Sequence, residues 1–309
     1  MKILITGIHG FVGSNLVEYL KSENEIYGLD IVTNEKSGVV KTFLWDELDA
    51  MPEFDAIIHL AGKAHDTKNK AAADVYFQVN TGLTQKIYDY FLATNAKKFV
   101  FFSTAKAAAD KVEGVLTEEV VPSPVGPYGE SKIKAEEYIL SKELPSDKFV
   151  YVFRPCMIHG PGNKGNLNLL YSVVRKGIPW PLGAFENRRT FTSIENMCFA
   201  VNGVLTKDVE SGIYNMGDDE ALSTNELIAL ICFVLDKPVR IWKLPKKMME
   251  SIAKVGTVLH LPLNQERLRK LTENYISSNN KIKLALGVDE MPVNAQDGLV
   301  KTIKSFIAQ

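Results

Sequence analysis

Cysteine is scarce in these 309 residues, with three scattered at Cys156, Cys198 and Cys232. The odd number excludes a complete disulfide framework, and the spacing matches no metal-ligand pattern, so the thiols read as reduced and buried. An excess of either charge sign is also missing. A net charge of −1 and a pI near 6.5 give no chain-wide basic field for nucleic acid or an anionic membrane. No apolar run reaches the roughly 18–20 residues that span a bilayer. The opening MKILITGIHGFVG is too short and too glycine-broken for a signal peptide. Repeats, low-complexity tracts and linkers are absent too, so the expectation is one cytoplasmic globular protein with no membrane insertion and no nucleic-acid partner. What remains, 46% hydrophobic and 24% charged residues, is ordinary for a soluble chain with a substantial core.

The first half alternates short apolar runs with longer helical patterns. KILITG (2–7), EIYGLD (25–30), FLW (43–45), AIIHLAG (56–62), KFVFFST (98–104) and FVYVFRP (149–155) read as strands. Amphipathic stretches such as SNLVEYLKSEN, VYFQVNTGLTQKIYDYFLATN and YGESKIKAEEYILSKEL lie between several of them. Near-continuous apolar strands alternating with helices predict an α/β fold, a doubly wound (Rossmann) parallel sheet covered on both faces. After Pro155 glycine and proline punctuate the chain, and from Ser223 helical patterns dominate. This predicts a dinucleotide-binding domain over 1–160, with a returning segment near 189–215, and a smaller, mostly helical lobe over 161–309. RRTFTSIENM (189–198) reads as the strand that returns to the main sheet.

Gly7-Ile8-His9-Gly10-Phe11-Val12-Gly13 follows the first strand and opens the first helix. Glycines there permit a tight turn and let backbone N–H groups approach a pyrophosphate. Asp30 ends the second strand, where a carboxylate accepts bonds from both adenosine ribose hydroxyls and repels a 2′-phosphate. No arginine follows it, although Lys36 is close, so NAD is favoured over NADP. Asp46, after the third strand, is a candidate for the adenine or a solvated turn carboxylate.

PYGESK (127–132) sets Tyr128 and Lys132 one helical turn apart on one face. Tyrosine ionises near pH 10, so acting as a base near neutrality requires about 4 kcal/mol of stabilisation of its anion. An ammonium at ~5 Å contributes about 3 kcal/mol at an effective dielectric near 20. The expectation is that Lys132 holds Tyr128 acidic enough to exchange a proton with a substrate alcohol.

Together with the glycine run and Asp30, the motifs HLAG (59–62), Asn80 in VNTG, Ser103-Thr104 and Tyr128-x-x-x-Lys132 resemble the extended short-chain dehydrogenase/reductases. RPCMIHGPG (154–162) is similar to that family's RPxxxYGPG, with His159 in the tyrosine position. NRRTFTSIENM and the lobe after it resemble the sugar-nucleotide branch, similar to UDP-glucose and UDP-N-acetylglucosamine 4-epimerases. The resemblance implies Thr104 as the hydroxyl on the substrate oxygen, beside Tyr128 and Lys132. It implies Leu60, Ala61 and Ser103 as cofactor-binding residues with the glycine turn, Phe11 and Val12. It also implies Asn80 as a structural or proton-relay residue at the substrate, and Arg189 and Arg267 as clamps on a UDP diphosphate. Lys63 and His65, just beyond HLAG, face the nicotinamide or the sugar or else solvent; His159 is read as a polar residue lining the cleft, and Asn166 completes the candidate substrate set. In the resembling 4,6-dehydratases Asp-Glu follows the threonine; here Ala105-Lys106 stands there, and alanine transfers no proton, so dehydration is not expected.

The reading is therefore an NAD-dependent 4-epimerase of a UDP-hexose or UDP-N-acetylhexosamine. The alternatives are an NAD(P)H-dependent 4-ketoreductase of a UDP-4-keto-6-deoxy-N-acetylhexosamine in polysaccharide synthesis, and a dinucleotide-sensing protein without catalysis. The resemblance also implies a homodimer through the helices at 76–94 and 128–144. KLPKKMMESIAKVGTVLHLP (243–262) could lie on a membrane surface but is expected to pack on the lobe.

Overall fold

The computed structural model describes residues 1–63, 72–163, 165–259, 261 and 263–307. Its strands in chain order are β1 (Lys2–Thr6), β2 (Glu25–Asp30), β3 (Thr42–Leu44), β4 (Ala56–His59), β5 (Lys98–Phe102), β6 (Val115–Leu116), β7 (Phe149–Pro155), β8 (Met157–His159), β9 (Phe191–Ser193), β10 (Gly212–Met216) and β11 (Ile276–Ser277). Seven of them form one parallel sheet in the order β10-β7-β5-β4-β1-β2-β3. The order reverses direction between β1 and β4, which opens a crevice at the carboxyl ends of those strands, where doubly wound folds bind ligands.

Side chains alternate across this sheet, and each face has its own core. Ile3, Ile5 and Val100 pack on one side under the helices Phe11–Leu20 and Ile194–Thr206. Leu4, Ile57, Phe99 and Phe101 pack on the other under Leu83–Ala93 and Pro127–Ser141. A fully buried aliphatic or aromatic side chain contributes about 1.5–3 kcal/mol, so two-sided burial is what makes these short strands persist. A separate core, with Leu167, Leu227, Ile231, Met249, Leu268, Leu299 and Phe306, belongs to the mostly helical lobe.

The strand 191–193 is a correction to the expected topology. It pairs with β8 in a separate two-stranded sheet, and β10 is the strand that returns to the main sheet beside β7. Phe191 packs in the lobe core and not under the sheet, which holds the segment in its place.

Candidate active site

Gly7 sits at φ +68°, and a Cβ there would lie 2.9 Å from the Ala61 amide nitrogen. A Cβ on Gly13 would lie 2.7 Å from the Gly7 carbonyl. Both positions accept glycine alone, and they bring the β1 turn against the end of β4. Helix Phe11–Leu20 starts at Gly10 with no side-chain cap, which leaves its first N–H groups for an anion. The Asp30 carboxylate accepts from the amides of His9 (3.1 Å) and Ile31 (2.7 Å), so it borders the same turn. His9 Nε2 is buried with no hydrogen-bond partner among the described residues. Lys36 donates to Ser14 at 2.8 Å. Val12 and Leu60 pack on the core, and a Cβ on Gly160 would lie 3.3 Å from the Phe11 ring. Asp46 is exposed in the turn after β3. The glycine cradle, the uncapped helix start, the bordering carboxylate and the orphaned ring nitrogen all fit a bound dinucleotide.

A chain of directed hydrogen bonds runs from this turn to the next element. Thr6 Oγ1 accepts from the amides of Leu60 (3.2 Å) and Ala61 (3.0 Å), and its own proton goes to His59 Nδ1 at 2.7 Å. His59 Nε2–H then donates to Thr84 Oγ1 at 2.9 Å, which donates to the Asn80 carbonyl at 2.6 Å. Burial, with the Lys132 charge adding to it, pushes His59 well below its ordinary pKa, so the ring is neutral and its tautomer is set by these partners.

Asn80 lies in a π-helical turn (Phe77–Gly82), a geometry concentrated at functional sites. Its Oδ1 accepts from the Lys63 amide at 2.7 Å, and its Nδ2 donates to the Lys63 carbonyl at 3.2 Å and to Ser131 Oγ at 2.9 Å. Asn80 thus ties the loop after β4 to the helix Pro127–Ser141. A Cβ on Gly62 would lie 3.0 Å from Asn80 Oδ1 and 3.1 Å from Lys132 Nζ, so these three residues converge.

Tyr128 hydrogen-bonds Thr104, and its ring meets Tyr76 edge-on at 6.4 Å. Lys132 Nζ is buried and donates to the Phe102 carbonyl at 2.8 Å. The expected partly ionised phenol does not hold for this structure. Burial raises Tyr128 above the ordinary tyrosine range, and the Thr104 bond offsets only part of that. Burial also lowers Lys132 to about 8, against an opposing pull from Glu136. The cation is shared with an anion that the Tyr128–Lys132 pair alone does not reveal.

Glu136 stands one turn beyond Lys132 on the same face, and spacing alone could have flagged it. It is fully buried and held in a bidentate pair by Arg154 of β7, with Nε at 3.1 Å from both carboxylate oxygens and Nη2 at 2.6 Å from Oε2. The Ser103 hydroxyl also donates to Glu136, so it is directed beneath the helix.

On the lobe side, Lys106 pairs with Asp110 at 2.9 Å and Arg269 reaches the same carboxylate at 3.4 Å. Burial pushes Asp110 up, yet these cations hold it below the usual carboxylate range. Arg189 donates to the Lys270 carbonyl in helix Gln265–Thr272, which also carries the exposed Arg267. Burial lowers Arg189, with Glu273 opposing. His159 does not line the cleft as expected. It is wholly buried, with Nδ1 2.9 Å from Thr302 and Nε2 3.3 Å from Asp218, because helix Ala295–Ile307 closes over β8. His65 and the side chain of Asn166 lie outside the described residues.

The chain belongs to the NAD dependent epimerase/dehydratase family, which it matches over residues 3–217. It is an NAD-dependent enzyme of that family, and NAD is its cofactor. It is 30% identical over 262 residues to a UDP-glucose 4-epimerase of Vibrio cholerae, covering 79% of this chain and 78% of that one. The solved UDP-N-acetylglucosamine 4-epimerase of Bacillus cereus superposes with a TM-score of 0.78 at 21% identity, covering all of both chains. MoeE5 in complex with UDP-glucuronic acid and NAD gives 0.78 at 19% identity, covering 100% of this chain and 99% of the other. These two likenesses concern the fold.

Proposed function

We propose that the protein is a 4-epimerase of a UDP-hexose or UDP-N-acetylhexosamine. The observation that carries this reading is the Tyr128–Thr104 hydrogen bond, with the Lys132 ammonium one turn away and the glycine turn at the same end of the sheet. NAD, when bound, supplies the hydride acceptor that oxidises the sugar at C4 and afterwards returns the hydride to the opposite face. Thr104 fixes the sugar oxygen next to the phenol. Tyr128 takes the 4-hydroxyl proton as the C4–H bond breaks and gives it back as the ketone is reduced. Burial keeps the phenol protonated in this structure, so it first loses that proton to solvent, and Lys132 stabilises the phenolate that then accepts the 4-hydroxyl proton. Asn80 and His59 hold Lys63 and the end of β4 around it. Arg189 and Arg267 clamp the diphosphate, since a guanidinium matches a phosphate bidentately. A two-fold dimer through the helices at 76–94 and 128–144 belongs to the same reading, and a monomeric mass in light scattering would remove it.

The test is incubation of the purified protein with UDP-glucose and UDP-N-acetylglucosamine without added cofactor, following the 4-epimers by chromatography. Interconversion is expected, and Tyr128→Phe lowers kcat by about 10²–10⁴-fold while UDP binding persists. NAD(P)H consumption on a UDP-4-keto-6-deoxy sugar, with no interconversion, would overturn the reading in favour of a reductase. Lys132 is cationic below about pH 8 and loses its proton above it, so kcat/KM falls as pH rises through that value.

A further inference from the structure

Helix Lys246–Val258 uses only part of its apolar surface inside the molecule. Met249, Ala253 and Gly256 point into the lobe and pack with Leu268 and the neighbouring helices. A second apolar row stands in solvent: Met248, Ile252, Val255 and Leu259 are 41%, 45%, 54% and 61% exposed. At 3.6 residues per turn these four fall within about 60° of one another, so they form one stripe beside the buried face. Exposed Lys247 and Lys254 flank its other side. The expectation that this segment packs on the lobe accounts for one face and leaves the other without a partner among the described residues.

Charge is concentrated at the same place. Residues 237–258 carry six basic side chains (Lys237, Arg240, Lys243, Lys246, Lys247, Lys254) and one acidic (Glu250), whereas the whole chain has a net charge of −1. Trp242, just before the helix, is 55% exposed, and an indole is the side chain best suited to a headgroup layer. An exposed apolar stripe, a lysine flank and an exposed tryptophan together have the chemistry of a helix lying in a lipid–water interface. A second copy of the chain would bring these cations against their own kind, which disfavours self-association through this face. No helix among the described residues is long and apolar enough to span a bilayer, so the mode is peripheral.

We propose that helix Lys246–Val258, with Trp242, docks the protein on an anionic lipid surface. The docking element leads directly into helix Gln265–Thr272, since the Gln265 amide donates to Thr257 Oγ1 at 3.0 Å. Arg267 therefore sits one short connection away from the lipid-facing row. The proposal stands apart from the epimerase reading, because vesicle binding needs no turnover.

The experiment is co-sedimentation of the full chain with vesicles of phosphatidylglycerol and phosphatidylcholine, against vesicles of phosphatidylcholine alone, at low and high salt. Expected are binding to the anionic vesicles and release at high salt. Ile252→Glu with Val255→Glu, and separately Lys247→Glu with Lys254→Glu, should each weaken binding by about tenfold or more. All four positions are exposed, so folding checked by circular dichroism should be unchanged. No sedimentation at low salt, equal binding to neutral vesicles, or indifference to the Ile252/Val255 pair overturns the proposal. So does a drop in oligomeric mass caused by that pair, which would assign the stripe to a second copy.

Discussion

Among the buried polar clusters of the described residues, two have different surroundings. Beneath helix Pro127–Ser141, Glu136 is locked to Arg154 and Ser103, and its field reaches Lys132. Where the lobe meets the sheet, Asp218 accepts from the Ser193 amide (2.8 Å) and Asn196 Nδ2 (2.7 Å), and it faces His159, which meets Thr302 of the last described helix. Both centres knit together segments far apart in sequence. Of these two, the first acts through its charge on the lysine beside Tyr128, so the first should affect chemistry and stability, and the second stability alone.

The largest expected effect is that of Arg154→Met. It leaves Glu136 buried without its cation, which should cost about 3–5 kcal/mol of stability, measured by urea unfolding. A loss below 1 kcal/mol would mean that the pair is not holding β7 to the helix. Asp218→Ala strips the Ser193 amide and Asn196 Nδ2 of their acceptor and should cost about 2–3 kcal/mol. The contrast is that its pH–rate profile should match that of the unaltered protein, and a displaced alkaline limb would erase the distinction between the two centres. Glu136→Gln keeps the shape and an acceptor for Arg154 but removes the charge that raises Lys132. The lysine should then lose its proton at lower pH, moving the alkaline limb down by about one unit. An unmoved limb would make the first centre as purely structural as the second. The smallest effect is that of Gly298→Ala, whose Cβ would lie 3.1 Å from the Ser193 side chain and 3.3 Å from His159. It should cost about 1 kcal/mol, seen as a lowered Tm, with turnover unchanged.

The main sheet was legible because parallel strands buried on both faces leave unbroken apolar runs, and EIYGLD and FVYVFRP match their strands to the residue. The glycine turn, Asp30 and the Tyr128–Lys132 spacing were legible because local geometry fixes them. Glu136 shares that helix face, but its partner Arg154 comes from strand β7, and no local pattern joins the two. His159 was misplaced for a similar reason. Whether a residue after β7 faces a cleft or lies beneath a helix depends on where 295–307 docks, more than 130 positions downstream. The returning strand was misassigned because Phe-Thr-Ser has good strand propensity, while the chain's actual return, Gly-Ile-Tyr-Asn-Met, opens on a glycine.

The widened turn at 77–82 has an evolutionary side. A turn of this kind accommodates one residue beyond the regular helical count, so removing a single codon there would let the helix close into ordinary winding. Every side chain on one flank would then swing around the axis relative to the other, and the amide of Asn80 could no longer grip Lys63 and Ser131 together. Lineages that shorten this segment should therefore also have altered the loop after β4.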